Sequence, residues 1–295
     1  MDALWNFYEE NREHYLKLSP EDLEDLHAIL LSATRDIAEF CSARGLELYL
    51  LGGSMLGAIR HQGIIPWDDD VDLTMPRESF EVFIREFGSY KPEKYFVVAP
   101  GTDRPGVSAY AKVKVKGTVL EEVIGDRENP EAFVDIFPLD YVSENSLSRH
   151  LFSFWSEALR NMNYVTFMAL SWKTVIRPML KNCDFSTRLM MRLGCFAGSI
   201  LGVIPLRVWN NLLNRTVQRR RTSLMTIPTG LRGYLGEMWP ENYWRETVDV
   251  NFGGIPMKVS AHYDEMLTRL YGDYMTPPPP EKRNGHYFRR IKLKG

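Results

Sequence analysis

Four aspartates fall within five positions at residues 68 to 72, in the order Asp68, Asp69, Asp70, Val71, Asp72. A β-strand has a period of two, so Asp68, Asp70 and Asp72 would project from one face and Asp69 and Val71 from the other. Carboxylates crowded on one face repel each other, which raises their pKa values and opposes folding unless a cation compensates. Oxygen-rich clusters of this kind suit hard divalent ions such as Mg²⁺. A solvated acidic turn or a helix-capping cluster would have the same composition. The flanks favour a strand, because Ile64, Ile65, Pro66 and Trp67 precede the acids and Leu73 and Met75 follow. An EF-hand does not fit: Leu73 stands where that loop needs its turn glycine, and no glutamate stands at its twelfth position. On this reading Asp69 points away and is replaceable.

About fifteen residues upstream, Gly52-Gly53-Ser54 lies between an apolar run and a short helical one. Glycines at a helix start let backbone amides approach a phosphate, and the helix dipole favours its charge. Alone such a pair is usually a tight turn. Followed by the aspartates it has the layout of a nucleotidyltransferase-type site, with phosphates between the glycine turn and a carboxylate-held metal. Arg60 suits bidentate phosphate contact, or a surface salt bridge, and His61 follows it. Lys112 and Lys114 alternate along one strand face and could neutralise a donor phosphate or form a solvated edge. Asp135, in a Val-Asp-Ile pattern, could complete a metal cage and accept a proton, or simply bond backbone at a strand end.

These side chains must be held by a mixture of helices and strands. Ser19-Pro20-Glu21-Asp22 supplies a helix start, and Leu23, Leu26, Leu30, Ile37 and Cys41 follow at helical spacing up to about Ala43, with Gly45 as the left-handed cap. Leu46 to Leu51 reads as a short strand, Ser54 as the cap of a helix from Met55 to Arg60, and 68–72 as the aspartate strand. A further helix is expected from Pro76 to Phe87. Strands are expected at 95–98, 108–115 and 132–137. The fold class is α/β (α+β). Residues 145–235 read as mostly helical and 236–290 as mixed and proline-rich.

The 295 residues are 44% apolar, 12% aromatic and 25% charged, enough to bury a full core. Cys41, Cys183 and Cys195 are widely spaced, which suggests neither a disulfide framework nor a zinc site and fits a reducing cytoplasm. The acidic, aromatic first twenty residues do not read as a signal peptide. The apolar run between Arg192 and Arg207 contains Pro205 and falls short of the roughly 20 residues a bilayer crossing needs. Net charge is only −2, but between Leu151 and Leu235 twelve Lys/Arg stand against two acids, Glu157 and Asp184. That segment is also rich in Phe, Trp, Met and Leu. It could lie on an anionic membrane, grip a polyanionic acceptor, or be a helical subdomain with a solvated basic face. No nucleic-acid module is visible. Trp155, Tyr164, Trp172, Trp239 and Trp244 could cage a cationic head group, although core positions suit them better.

The run GGSMLGAIRHQGIIPWDDDVDL resembles the signature of the LicD family of phosphotransferases, which includes fukutin and fukutin-related protein. The likeness continues at KVKVKGTVLEE (112–122), FVDIFPLDY (133–141) and HYDEMLTRLYGDYMTPPPPEKRNGH (262–286). It implies a nucleotidyltransferase-like core, a mixed sheet in 1–144, with a C-terminal motif segment in 236–295 packing on it; the basic, aromatic-rich helical subdomain read in 145–235 carries no family motif. It also implies Mg²⁺ or Mn²⁺ bound by Asp70, Asp72 and Asp135, with Asp68 as a further ligand or a neighbour of the ligands. Gly52, Gly53, Ser54, Arg60, His61 and Lys112 would serve a CDP-alcohol donor. Tyr271, Asp273, Arg283 and His286 occupy family positions without an assigned task, in a segment that could be a flap over the donor or a structural clasp. The zinc-binding feature of fukutin-related protein lacks its clustered cysteines here.

The expected reaction moves a phospho-alcohol, phosphocholine-like, from the CDP-linked donor to a hydroxyl of a cell-surface glycan or its lipid-linked precursor, releasing CMP. Attack on the α-phosphorus would instead make the protein a nucleotidyltransferase, and a broken carboxylate set would make it a silent glycan- or membrane-binding partner. The expected setting is bacterial and cytoplasmic, with peripheral contact at the inner membrane face and no nucleic-acid partner.

Overall fold

Helix α1, Pro20–Arg44, starts as its sequence dictates: Ser19 Oγ accepts from Asp22 N, the Asp22 carboxylate accepts from Ser19 N, and Pro20 takes the first position. Gly45 ends it in the left-handed conformation, φ 65° and ψ 26°. A computed structural model of the chain describes residues 15–123, 125–180, 183–217, 220–280, 283 and 286–293. The residues before 15, read above for a leader, lie outside the described residues. The buried face of α1 (Leu26, Leu30, Ala33, Ile37, Phe40) joins the principal core over a mixed sheet, so the fold is mixed α/β as expected.

The sheet is built from β1 (Tyr49–Leu50), β2 (Asp72–Pro76), β3 (Tyr95–Val98), β4 (Ala111–Val115) and β6 (Phe133–Tyr141), in the order β1-β2-β6-β4-β3. β2 and β6 run parallel and the other neighbours antiparallel. β6 is buried along eight of its nine residues, as expected of a strand covered on both faces. Beyond its far end β7 (Leu224–Thr226) and β8 (Met238–Pro240) extend the sheet. β9 (Thr247–Phe252) and β10 (Ile255–Ser260) form a hairpin, and β5 (Val119–Glu122) pairs with β11 (Phe288–Lys292). The sheet connects to α2 (Gly52–His61), α3 (Arg77–Glu86) and α7 (Tyr263–Tyr271).

The basic middle forms α4 (Ser146–Leu170), α5 (Phe185–Leu201) and α6 (Leu206–Val217), and α5 and α6 both pack on α4. Asn145 and Asp184 cap α4 and α5 by accepting from the amides of Ser148 and Thr187. Gly194, Gly198 and Gly202 recur every fourth residue on the side of α5 that meets α4. A methyl group built on Gly198 would lie 1.9 Å from the Val165 carbonyl oxygen, so the two backbones touch. Among the described residues no single helix is long and apolar enough to cross a membrane. α5 and α6 qualify together by length and composition, but they are bent by 91°.

Three local expectations need correction. The aspartate strand starts only at Asp72, where β2 meets β6, so Asp68 to Val71 form an irregular lead-in outside the ladder. The strand expected over 46–51 shrinks to Tyr49–Leu50. Ser54 is not a cap: α2 already begins at Gly52 after Leu51, and Ser54 Oγ instead accepts from Asp72 N at 2.8 Å. Of the candidate cage aromatics, Trp239 and Trp244 are in the core, whereas Trp155 and Tyr164 are exposed on α4. All three cysteines are buried and free.

A buried ion pair ties the helices to the sheet. Arg77, at the start of α3, gives Nε to Asp140 Oδ1 at 2.7 Å and Nη2 to Oδ2 at 2.6 Å, and donates to Asn214 of α6. Asp140 Oδ atoms are almost wholly sequestered on β6, with the side chain 1% exposed. Asp140→Ala leaves the guanidinium without its counter-charge, and the expected loss is about 3 kcal/mol of unfolding free energy. A fall in the denaturant midpoint, with the slope unchanged, checks this.

Candidate active site

Gly52 and Gly53 are the first residues of α2, and no side chain caps that helix end. The leading amides of a helix lack intrahelical acceptors, so this end can receive an anion. Gly52 has a positive φ of 51°. The space beyond the pair is small and acidic. A methyl group on Gly53 would come within 3.1 Å of Asp68 Oδ2, and one on Gly52 within 3.6 Å of Asp72 Oδ2 and 3.4 Å of the Tyr271 hydroxyl. The helix start, two of the acids and the end of α7 therefore surround one cradle that any side chain would fill. Sequence reasoning gave Tyr271 no task; its hydroxyl stands over the glycine turn, and burial followed by the charges of Asp72 and Asp68 raises its pKa.

Strand register brings together residues that are far apart in sequence. Asp72 on β2 lies opposite Asp135 on β6, and Asp135 lies opposite Lys112 on β4. The Lys112 ammonium is 2.9 and 3.1 Å from the two Asp135 oxygens and 3.4 Å from the Phe133 ring centre. Its charge is thus matched within the protein. Lys114 is also buried; it donates to the Glu131 carbonyl and is lowered to about 8 by burial and by Lys112.

The remaining acids have no such partner. Among the described residues no ion pair reaches Asp68, Asp70 or Asp72. Burial, then the charge of Asp69, pushes Asp68 up to about 6. Burial, then Asp135 and Asp68, pushes Asp72 up to about 8. Asp70 is raised well above the ordinary range by burial and then by Asp72, Asp68 and Asp69. Asp135 is raised by burial while Lys112 pulls it back. A set of partly buried, crowded carboxylates of which three form no ion pair is what a hard divalent cation fits. Among the described residues, Asp69, Asp70 and His286 are the group whose ligand atoms all lie within 4.8 Å of one another, and they could hold a metal ion. Asp70, Asp72 and Asp135 span a wider space.

Asp69 is not the replaceable outward acid that a two-residue period implies. Its side chain is 3% exposed, and it accepts from His286 N and His286 Nδ1, both at 2.7 Å. The period fails because the ladder has not yet begun at this residue. The hydrogen bond to Asp69 raises His286 to about 10 against the effect of burial. Of the two roles open for the C-terminal motif, this contact is a clasp: His286 leads into β11, which pairs with β5, and Leu16 bonds Phe288 from the other side.

A second, basic group gathers on Trp67, the residue before Asp68. The Arg60 guanidinium donates to the Tyr274 carbonyl and to His61 Nε2, and it lies 5.8 Å from the Trp67 ring centre. Arg283 covers the same ring at 4.2 Å. Among the described residues neither arginine has a carboxylate partner. Burial and Arg283 lower the Arg60 pKa; burial and both arginines lower that of His61, which serves as an acceptor. Asp273 is exposed.

Known proteins resemble this chain in sequence. Residues 45–174 match the family model for the LicD/FKTN/FKRP nucleotidyltransferase domain. The chain is 24% identical over 257 residues to lipopolysaccharide cholinephosphotransferase LicD of Haemophilus influenzae, covering 86% of this chain and 91% of that protein. It is 32% identical over 119 residues to the mouse ribitol 5-phosphate transferase FKRP and 30% identical over 129 to the human one. Those matches span only 20% and 21% of the FKRP chains.

Two outcomes follow from the charges. Carboxyls raised in the folded state contribute stability that is fully present below their unfolded values, near pH ~4, and lost as pH rises through the folded ones. For Asp68 and Asp72 the folded values are about 6 and about 8. Metal-free protein should therefore lose Tm from about pH 4 to about pH 8, and Mg²⁺ should restore most at the upper end; a flat difference between EDTA and Mg²⁺ scans would contradict it. Asp69→Ala and His286→Ala should each loosen the C-terminal strand, with the double variant costing about 1 kcal/mol less than the sum. Denaturation of all four proteins measures this.

Proposed function

Because the chain carries a LicD/FKTN/FKRP nucleotidyltransferase domain and is a distant homologue of the LicD cholinephosphotransferase and of FKRP, we propose that it is a metal-dependent phosphotransferase using a CDP-alcohol. It moves a phospho-alcohol, phosphocholine-like, to a hydroxyl of a cell-surface glycan or its lipid-linked precursor, and CMP is released. The observation that carries this reading is the pair of partly buried carboxylates, Asp68 and Asp72, facing the uncapped glycine start of α2. The choline and the glycan follow the printed activity of the relative that matches over most of both chains. The reading places the protein in the cytoplasm, where CDP-alcohols are made and glycan precursors are built.

Asp70, Asp72 and Asp135, with Asp68 beside them, would hold a Mg²⁺ or Mn²⁺ ion, which would supply charge neutralisation for a diphosphate. The protein's own groups do the rest. The Gly52 and Gly53 amides receive phosphate oxygens, and Ser54 fixes the helix start to the first residue of β2. Lys112 orients Asp135. Arg60, with His61 as its acceptor, and Arg283 hold the donor's phosphates beside Trp67 so that the acceptor oxygen meets the phosphorus in line. The hydroxyl oxygen bonds to the phosphorus nearer the alcohol, the bond from that phosphorus to CMP breaks, and a cluster carboxylate takes the proton.

Asp70→Asn and Asp72→Asn should each lower metal-dependent CMP release by at least roughly a hundredfold. The assay uses CDP-choline, CDP-ribitol and CDP-glycerol, each with Mg²⁺ or with EDTA. Full activity in both variants, or release of pyrophosphate in place of CMP, would defeat the reading.

A further inference from the structure

The helical layer carries a feature that the phosphotransferase site does not use. Along α5, Phe185, Leu189, Leu193, Phe196 and Ile200 are 78%, 47%, 59%, 67% and 61% exposed. Their spacing of four, four, three and four residues puts them on one face. At roughly 100° per residue that face is opposite the one bearing Gly194, Gly198 and Gly202. The glycine face is closed against α4 by backbone contact, so the apolar face is held outward. The turn after α5 continues it with Val203, 83% exposed.

Apart from Asp184, which caps α5, the charge along α5 and α6 has one sign. From residue 185 to 236 the sequence holds eight arginines and no acidic residue. Of these Arg192, Arg207 and Arg215 are exposed on α5 and α6. Beside the start of α5, Arg177, Arg188 and Arg192 line a hollow of about 390 Å³ with Trp172 and Leu180. Within that hollow Arg188 is fixed by donating to the carbonyls of Leu180 and Cys183. An apolar helix face bordered by arginines, with one acid only at its capped N-terminus, matches the interface of an anionic bilayer, with acyl chains under the stripe and phosphate head groups at the arginines. A second copy of this chain would set arginine against arginine.

We propose that the α5 face docks the protein on anionic phospholipid membrane, with the Trp172 hollow receiving a lipid head-group phosphate. The helix lies in the interface and does not span it. This surface is separate from the carboxylate site, so it stands or falls independently of the donor chemistry.

The test is flotation of the full chain with vesicles of phosphatidylcholine alone or mixed with phosphatidylglycerol, at low and high salt. Wild type should float with the anionic vesicles at low salt. The paired variant Phe196→Asp/Ile200→Asp should reduce the bound fraction at least about tenfold, and Arg177→Glu/Arg192→Glu should remove the dependence on phosphatidylglycerol. Both variants alter exposed side chains, and an unchanged Tm and near-ultraviolet circular dichroism establish that they are folded. Failure of wild type to float, equal flotation with neutral vesicles, or flotation unaffected in the folded variants would overturn the proposal. So would a dimer, seen by light scattering, that becomes a monomer in Phe196→Asp/Ile200→Asp without any loss of lipid binding.

Discussion

Mutual repulsion among buried carboxylates at the entrance to β2 is the constraint around which the core is arranged. Asp68, Asp70 and Asp72 are partly buried and, among the described residues, form no ion pair, and each is pushed upward first by burial and then by its neighbours. Such a cluster is unfavourable for the metal-free fold. Everything nearby either limits that cost or makes use of it. Lys112 neutralises Asp135, the acid nearest to Asp72 across the sheet, and His286 neutralises Asp69. Asp68 and Asp72, which form no ion pair among the described residues, face the glycine turn, where a cation and a diphosphate would complete the charge.

Much of this was legible in the residues. The capping box at Ser19, the left-handed cap at Gly45 and the glycine pair before a helix are local signals, and local signals were read correctly. What escaped was long-range. Parity along 68–72 gave Asp69 the wrong face, because parity holds only inside a ladder and the ladder begins one residue beyond Val71. Ser54 looked like a cap since serine favours that position, but its hydroxyl is claimed by the backbone of Asp72, eighteen residues away. Lys112 was expected at a phosphate; strand order, which no short stretch encodes, set it against Asp135 instead. The apolar stripe of α5 shows the same limit, since a helical period reveals a face without revealing what covers it.

Sheet and helical layer are mechanically joined through β6. The strand carries Asp135 near one end and Asp140 near the other, and an odd separation in a pleated strand sends them to opposite faces. One acid belongs to the candidate site and the other anchors Arg77, and with it Asn214 of α6. β7, which follows the three helices in sequence, then returns to pair with β6 at Asp140 and Tyr141. The helical layer is thus fastened to the strand that presents a site carboxylate, by an ion pair and by backbone hydrogen bonds.

The clasp between Asp69 and His286 joins residues 217 positions apart. During synthesis the glycine turn, the acids and their sheet are all made long before that histidine exists. A nascent chain therefore holds an acid cluster open at one side, with Asp69 lacking its donor and β5 lacking its partner. Closure waits until the ribosome has delivered β11. A molecule cut short before His286 retains the acids but not the contact to Asp69.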